Sequence, residues 1–249
     1  MRCDAGAYDV ATREWVAFAI PADLCRERYA AVWTGREILL WGHSAAEAAS
    51  PAGASLNPTD WSWTPLPDAP LDAADRWSAT WTGDEVIVFA YPDETERAEA
   101  AAYDPSTRAW RRLPESPVAS VFGSDAIWTG ADVLTLSHWT DRIDGRAWPS
   151  GRYSPETDSW TFVTPAPPNG STSTPVVWTG RVAIMTGLGE ALAYHPPTDA
   201  WSALASPPMA VELATAVSTD TQVLVWGGSA GVDYPRQAQI FDLGEGTSR

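Results

Sequence analysis

The tripeptide Trp-Thr-Gly recurs at Trp33-Thr34-Gly35, Trp81-Thr82-Gly83, Trp128-Thr129-Gly130 and Trp178-Thr179-Gly180. Successive copies stand 48, 47 and 50 residues apart, and a degraded fifth, Ser218-Thr219-Asp220, follows 40 residues later. A fixed period in this range marks a chain built from copies of one supersecondary unit, each unable to bury its own faces alone. A second motif runs out of phase with the first: an aromatic or apolar residue, a short polar turn, then a Trp seven positions on. Its copies are Tyr8/Trp15, Leu56/Trp63, Tyr103/Trp110, Tyr153/Trp160 and Tyr194/Trp201. Two independent motifs sharing one period exclude coincidence.

Each unit reads as four short strands, a to d. In the first unit strand a is Tyr29-Ala30-Ala31-Val32-Trp33. A Thr-Gly turn follows, in which glycine supplies a positive φ without steric cost. Strand b, Ile38-Leu39-Leu40-Trp41, is an apolar run of the kind buried on both faces. Strand c ends at the Tyr, and turns such as Asp104-Pro105-Ser106-Thr107 and Ser154-Pro155-Glu156-Thr157 reverse the chain before strand d begins at the Trp. Small residues two positions before the Trp-Thr-Gly tryptophan (Ala31, Ala79, Ala126, Val176 and, in the degraded copy, Ala216) suit strands crowded around a narrow axis. The tryptophans, 15 in all, are read as core between neighbouring units rather than as a sugar-stacking platform. The expected fold is all-β: one β-propeller domain over residues 1–249, with about five four-stranded blades.

These residues resemble the kelch family over nearly the whole chain. A kelch unit closes strand b with a glycine pair, followed by a Tyr and then a Trp at the spacing seen here. The pair is intact at Gly227-Gly228 and degraded at Gly42-His43, Ala90-Tyr91, Ser137-His138 and Gly187-Leu188. An Arg before strand a, common in kelch units, stands at Arg28 and Arg76. The Trp-Thr-Gly variant is similar to bacterial kelch-repeat proteins of the galactose-oxidase-like propeller superfamily. That resemblance implies a kelch-type propeller and leaves activity open, because such propellers carry unrelated functions. The ends allow two readings. Opening strands c and d (residues 7–20) could join closing strands a and b (213–228) in a fifth blade. Alternatively Ile240-Phe241-Asp242 is one more strand c, as in a six-bladed ring lacking its first strands.

Charge narrows the partners. The chain has 32 acidic and 16 basic residues, every basic one an Arg, for a net charge of −16. Such a surface repels phosphate backbones and anionic lipid heads, so neither nucleic acid nor a membrane surface is expected as a partner. Met1-Arg2-Cys3-Asp4 opens no apolar signal segment, and a cytoplasmic monomer is expected, or an exported protein in the truncated reading. Spacing alone does not pair Cys3 with Cys25, which read as free thiols, and no Cys/His group has zinc spacing.

In an alternating four-stranded blade the a–b and c–d turns share one end, and the b–c and d–a loops share the other. The first set is short and repetitive. The second varies, its longest member running from His138 to Arg152, and variable loops on a rigid scaffold are where binding usually resides. His43, Tyr91 and His138 hold the second-glycine position there, and Arg28 and Arg76 begin strand a at the same end. The arginines suit a bidentate carboxylate or phosphate group, or brace acids such as Glu27, Asp72 and Asp75. Asp141 and Asp144 lie in the long loop, at a spacing that does not match an EF-hand. These seven residues are the candidate binding set of a non-catalytic scaffold for a protein, a glycan or a small ligand. The alternative is a carbohydrate-active enzyme, since kelch propellers include a copper oxidase acting on galactose and an isomerase acting on sialic acid. The oxidase pattern implies copper held by two His and two Tyr, one Tyr crosslinked to Cys. Neither Cys3 nor Cys25 matches that pattern, and no cofactor is expected. A sugar isomerase would use Arg28, Arg76 and His43.

Overall fold

A computed structural model describes residues 4–21, 26–44, 52–72, 74, 76–91, 98–116, 126–137, 149–167, 175–186, 191–204, 211, 214–219, 221–229 and 238–243. Every regular element among them is a strand. β1 (Asp4–Asp9) and β2 (Glu14–Ala19) form a two-stranded sheet. β3 (Arg26–Trp33), β4 (Ile38–Ser44), β5 (Ala52–Leu56) and β6 (Trp63–Pro65) form the first complete blade, in that order. β7 (Arg76–Trp81), β8 (Val86–Tyr91), β9 (Glu99–Asp104) and β10 (Ala109–Arg112) form the second. The third comprises β11 (Ala126–Trp128), β12 (Val133–Thr135), β13 (Ser150–Ser154) and β14 (Ser159–Val163). The fourth comprises β15 (Val176–Trp178), β16 (Ala183–Met185), β17 (Leu192–His195) and β18 (Ala200–Ala203). β19 (Thr215–Ser218), β20 (Gln222–Trp226) and β21 (Gln239–Asp242) make a three-stranded fifth. All pairings are antiparallel between sequence neighbours, and the protein is an all-β chain of five β-propeller blades. It divides into two compact units, Met1–Pro92 with Glu99–Leu113, and Asp93–Ala98 with Pro114–Arg249.

Both sequence motifs have a structural cause. In each a–b turn the Thr amide bonds the carbonyl three residues on, and the Thr hydroxyl takes that residue's amide in return. Thr34 with Glu37, Thr82 with Glu85, Thr129 with Asp132 and Thr179 with Val182 repeat this closure. Thr219 closes on Gln222 in the degraded copy too, so the Thr, rather than the Trp or Gly, is the part common to all five turns. The Tyr/Trp spacing of seven places the two rings directly opposite one another in the c–d ladder, as in Tyr103↔Trp110, Tyr153↔Trp160 and Tyr194↔Trp201. Their ring centroids lie 4.9, 5.3 and 5.2 Å apart.

Five c–d turns also share a left-handed residue two positions before the Trp: Arg13, Trp61, Arg108, Asp158 and Asp199, with φ between 47° and 61°. A non-glycine residue held there costs about 1–2 kcal/mol, and four of these side chains make contacts that offset it. Arg108 donates to the Pro65 carbonyl, Trp61 stacks on Phe18, and Asp158 and Asp199 accept from the hydroxyls of Tyr153 and Tyr194.

The tryptophans are not uniformly core. The Tyr of strand c is the fully buried ring (Tyr103, Tyr153, Tyr194), whereas Trp110, Trp160 and Trp201 are half-buried, and Trp15, Trp33 and Trp226 are exposed. The strand-d indoles sit at the sheet margin because each N–H reaches back to the preceding sheet. Trp63, Trp110, Trp160 and Trp201 donate to the carbonyls of Ala19, Pro67, Pro114 and Thr164. In every case the acceptor lies four residues beyond the equivalent Trp of that sheet. Strand b is buried on both faces in β8, β12 and β16, as expected, whereas Ile38 and Leu40 of β4 are only partly covered and Trp226 of β20 is exposed.

The chain ends follow the second expectation in one respect. β21 occupies the strand-c place beside β20, pairing Phe241 with Val223 and Ile240 with Leu224, while β1 and β2 pair with each other. Cys3 and Cys25 lie outside the described residues.

Candidate functional site

The antiparallel ladder sets the geometry of the loop end. Arg28 is the direct partner of His43 across β3 and β4, and Arg76 is the direct partner of Tyr91 across β7 and β8. The Arg before strand a and the residue at the second-glycine position therefore form one cross-strand pair in each of two blades. For Arg28 and His43 only the backbone is described.

In the second blade the side chains are placed. The Arg76 guanidinium carbon lies 5.7 Å from the centre of the Tyr91 ring, within the range of a cation–π contact. The Tyr91 hydroxyl lies 3.1 Å from Ser78 Oγ, and Tyr91 is only 3% exposed. Tyr91 is thus a supporting ring beneath a half-buried Arg rather than a group offered to solvent. A planar cation held over an aromatic face is pre-organised for a carboxylate or phosphate group. His138, Asp141 and Asp144 lie outside the described residues, as does Asp75. Asp72 donates its amide to Glu99, whose carboxylate also pairs with Arg112 at 2.8 Å.

A second concavity lies at the opposite, turn end of the first two complete blades. It is a cleft of about 500 Å³ lined by Thr34, Arg36, Glu37, Trp81, Asp84, Glu85, Asp104 and Ser106 among others. Arg111 holds Glu85 through both carboxylate oxygens, at 3.0 and 2.7 Å, which leaves Glu37, Asp84 and Asp104 as the cleft's unneutralised acids among the described residues. The side chains and amides of Ser106 and Thr107 bond Asp104 and hold its carboxyl down at about 2. The cleft lining carries more acid than base, with Arg36 the Arg among the lining residues. Among the described residues no group of His, Cys, Asp or Glu is arranged to hold a metal ion.

Sequence reasoning missed Ser78 and the cleft. Ser78 sits inside strand a with no motif around it. The cleft acids do leave a trace, because the residue closing the a–b turn is acidic in three consecutive units, Glu37, Glu85 and Asp132. No protein-family model matches the chain, and no curated protein matches it.

Proposed function

We infer that this is a kelch-type propeller acting as a non-catalytic binding scaffold, which takes a protein, glycan or small ligand at its b–c/d–a loop end. The observation that carries this reading is the contrast between the two ends of the blades. At one end every a–b turn closes through the same Thr hydroxyl and every c–d turn passes through the same left-handed position. At the other, the b–c connections run over 45–51, 92–98, 136–149, 186–191 and 227–238, two of them equal in length and the rest shorter or up to twice as long. Repetition fits a structural end, and variation fits a recognition end. Arg76 over Tyr91 supplies an anion-binding feature there, suited to a carboxylate-bearing ligand such as an acidic sugar or an acidic side chain.

Glycan, peptide and metabolite arrays probed with the intact chain test this reading. Hits should disappear when Arg76 is changed to Ala or when residues 138–148 are replaced by the short 187–190 segment. They should survive Arg36→Ala and Asp84→Asn in the cleft. Binding that depends on the cleft residues and ignores the loop variants would overturn it. A sugar-isomerase reading draws on one specific observation, the strand register that makes Arg28 and His43 direct backbone partners across β3 and β4. It requires turnover of an acidic sugar that Arg76→Ala abolishes while the fold is retained.

A further inference from the structure

A repeat carries its own control: a residue that every blade requires recurs, and a residue that a ligand requires need occur only once. Arg76 and Ser78 stand five and three positions before the tryptophan of their Trp-Thr-Gly motif. The first copy has Arg28 and Ala30 at those places, and the later copies replace the Arg with Gly123, Ser173 and Leu213. At the second-glycine position Tyr91 stands where the other copies have His43, His138, Leu188 and Gly228. Arg, Ser and Tyr therefore meet in one blade, the second complete one.

Strand register brings the three together. Arg76 pairs with Tyr91, and Ser78 with Phe89, across β7 and β8. Residues two apart on a strand share a face, so these four side chains occupy one face of the sheet. The Phe89 and Tyr91 rings are stacked at 15°, with centroids 6.4 Å apart. Ser78 Oγ lies 3.1 Å from the Tyr91 hydroxyl, and the Arg76 guanidinium carbon lies 5.7 Å over the same ring. Tyr91 is thus fixed at its hydroxyl by Ser78 and alongside by Phe89, while its face carries the cation. All four residues belong to one compact unit.

Resting on the recognition end inferred above, we propose that this set is a carboxylate site in which Arg76 takes the carboxylate and Tyr91 and Ser78 hold the guanidinium in position. A guanidinium offers paired N–H donors in one plane, which match the two oxygens of a carboxylate. A carboxylate brings a single negative charge, which one Arg balances. A phosphate monoester brings about −1.5 to −2 at neutral pH and meets the field of a chain of net charge −16. The site therefore favours a carboxylate over a phosphate ester. Tyr91 and Ser78 raise affinity without touching the ligand, because a side chain fixed beforehand loses less freedom on binding.

Titration of the full, isotope-labelled chain with glucuronate, glucose-6-phosphate and glucose at constant ionic strength, followed by NMR, tests this. The Arg76 Nε–H resonance, identified by its loss in Arg76→Ala, should shift saturably with glucuronate, more weakly with glucose-6-phosphate and not with glucose. Tyr91→Leu removes the ring under the cation and should weaken glucuronate binding about ten-fold. Tyr91→Phe and Ser78→Ala remove the same hydrogen bond, so each should weaken binding about three-fold. Their double variant should be no weaker than either alone, a coupling that general loss of stability would not produce. Should Tyr91→Leu fail to fold, Tyr91→Phe and Ser78→Ala carry the test. Glucuronate binding at Arg76 that ignores these variants overturns the positioning roles, and equally tight glucose-6-phosphate overturns the carboxylate assignment. Both results leave the loop end as the recognition end. An Arg76 resonance unmoved by glucuronate overturns the carboxylate site altogether. Loss of array hits on replacing residues 138–148 then tests the loop end separately, without Arg76.

Discussion

Removal of the same hydroxyl at equivalent positions in two blades should change stability in opposite directions. Tyr103 and Tyr194 are both fully buried at the end of strand c. Five residues further on, the left-handed turn position is Asp199 in one blade and Arg108 in the other. Tyr194 donates to Asp199 at 2.8 Å, whereas the Tyr103 hydroxyl has no hydrogen-bond partner among the described residues, Arg108 turning away to the Pro65 carbonyl. A hydrogen bond to a charged group contributes about 1.5–3 kcal/mol, and an unsatisfied buried hydroxyl costs about 1–3 kcal/mol. Asp199 keeps two bonds from Thr164, so Tyr194→Phe belongs at the lower end of the first range. Tyr194→Phe should therefore destabilise by about 1.5 kcal/mol, and Tyr103→Phe should be neutral or stabilising by up to about 1 kcal/mol. At about 2–4 °C per kcal/mol for a chain of this size, calorimetry should show the first variant melting about 3–6 °C lower. Urea unfolding at constant slope should agree in sign. Arg108→Asp supplies the missing acceptor, and a cycle with Tyr103→Phe should show favourable coupling between the two positions. Equal destabilisation by both Tyr→Phe changes would refute the reasoning.

Other expectations follow from the same geometry. Gly53→Ala should destabilise by about 3 kcal/mol or more, read by urea unfolding, because a Cβ there meets Trp41 at 2.4 Å and the Leu40 carbonyl at 2.6 Å. Gly83→Ala meets no neighbour within 4 Å but must hold a φ of +105°, so its cost is conformational, about 1–2 kcal/mol by the same assay. Thr82→Ala should lose about 1–2 kcal/mol with its turn bonds, and Thr82→Ser should largely retain them. Burial disfavours the Asp199 charge, but bonds from Thr164 and Tyr194 outweigh it and hold the carboxyl below the usual aspartate range. A depressed carboxylate stabilises fully above its unfolded value near 4 and loses that contribution as pH falls through the folded value. The stability gap between wild type and Asp199→Asn should accordingly close on acidification, while Asp104 should titrate at about 2 by carboxyl-resolved NMR.

Much of the fold was legible because its determinants are side-chain types at fixed spacings. The Tyr/Trp pair declares a c–d hairpin, and the Thr of Trp-Thr-Gly declares an a–b turn, even where Ser218 has replaced the Trp. The left-handed position was not legible, since Arg13, Trp61, Arg108, Asp158 and Asp199 share a backbone conformation and no chemistry. The exposure of Trp15, Trp33 and Trp226 was hidden for a different reason: a motif reports which face a ring occupies, not whether another sheet covers it. At the candidate site, the pairing of Arg76 with Tyr91 follows from strand register, whereas the Ser78 contact depends on side-chain reach across the sheet.

The most direct test of recognition at the loop end is a hydrogen-exchange footprint of the intact chain with and without a ligand recovered from the arrays. Protection confined to the b–c and d–a connections, with Arg76 and Tyr91 among the protected segments, is the expected result. Protection centred on the turns at Thr82–Glu85 and Asp104–Arg108, with the loops unchanged, would move recognition to the acidic cleft and contradict a binding role for the variable end.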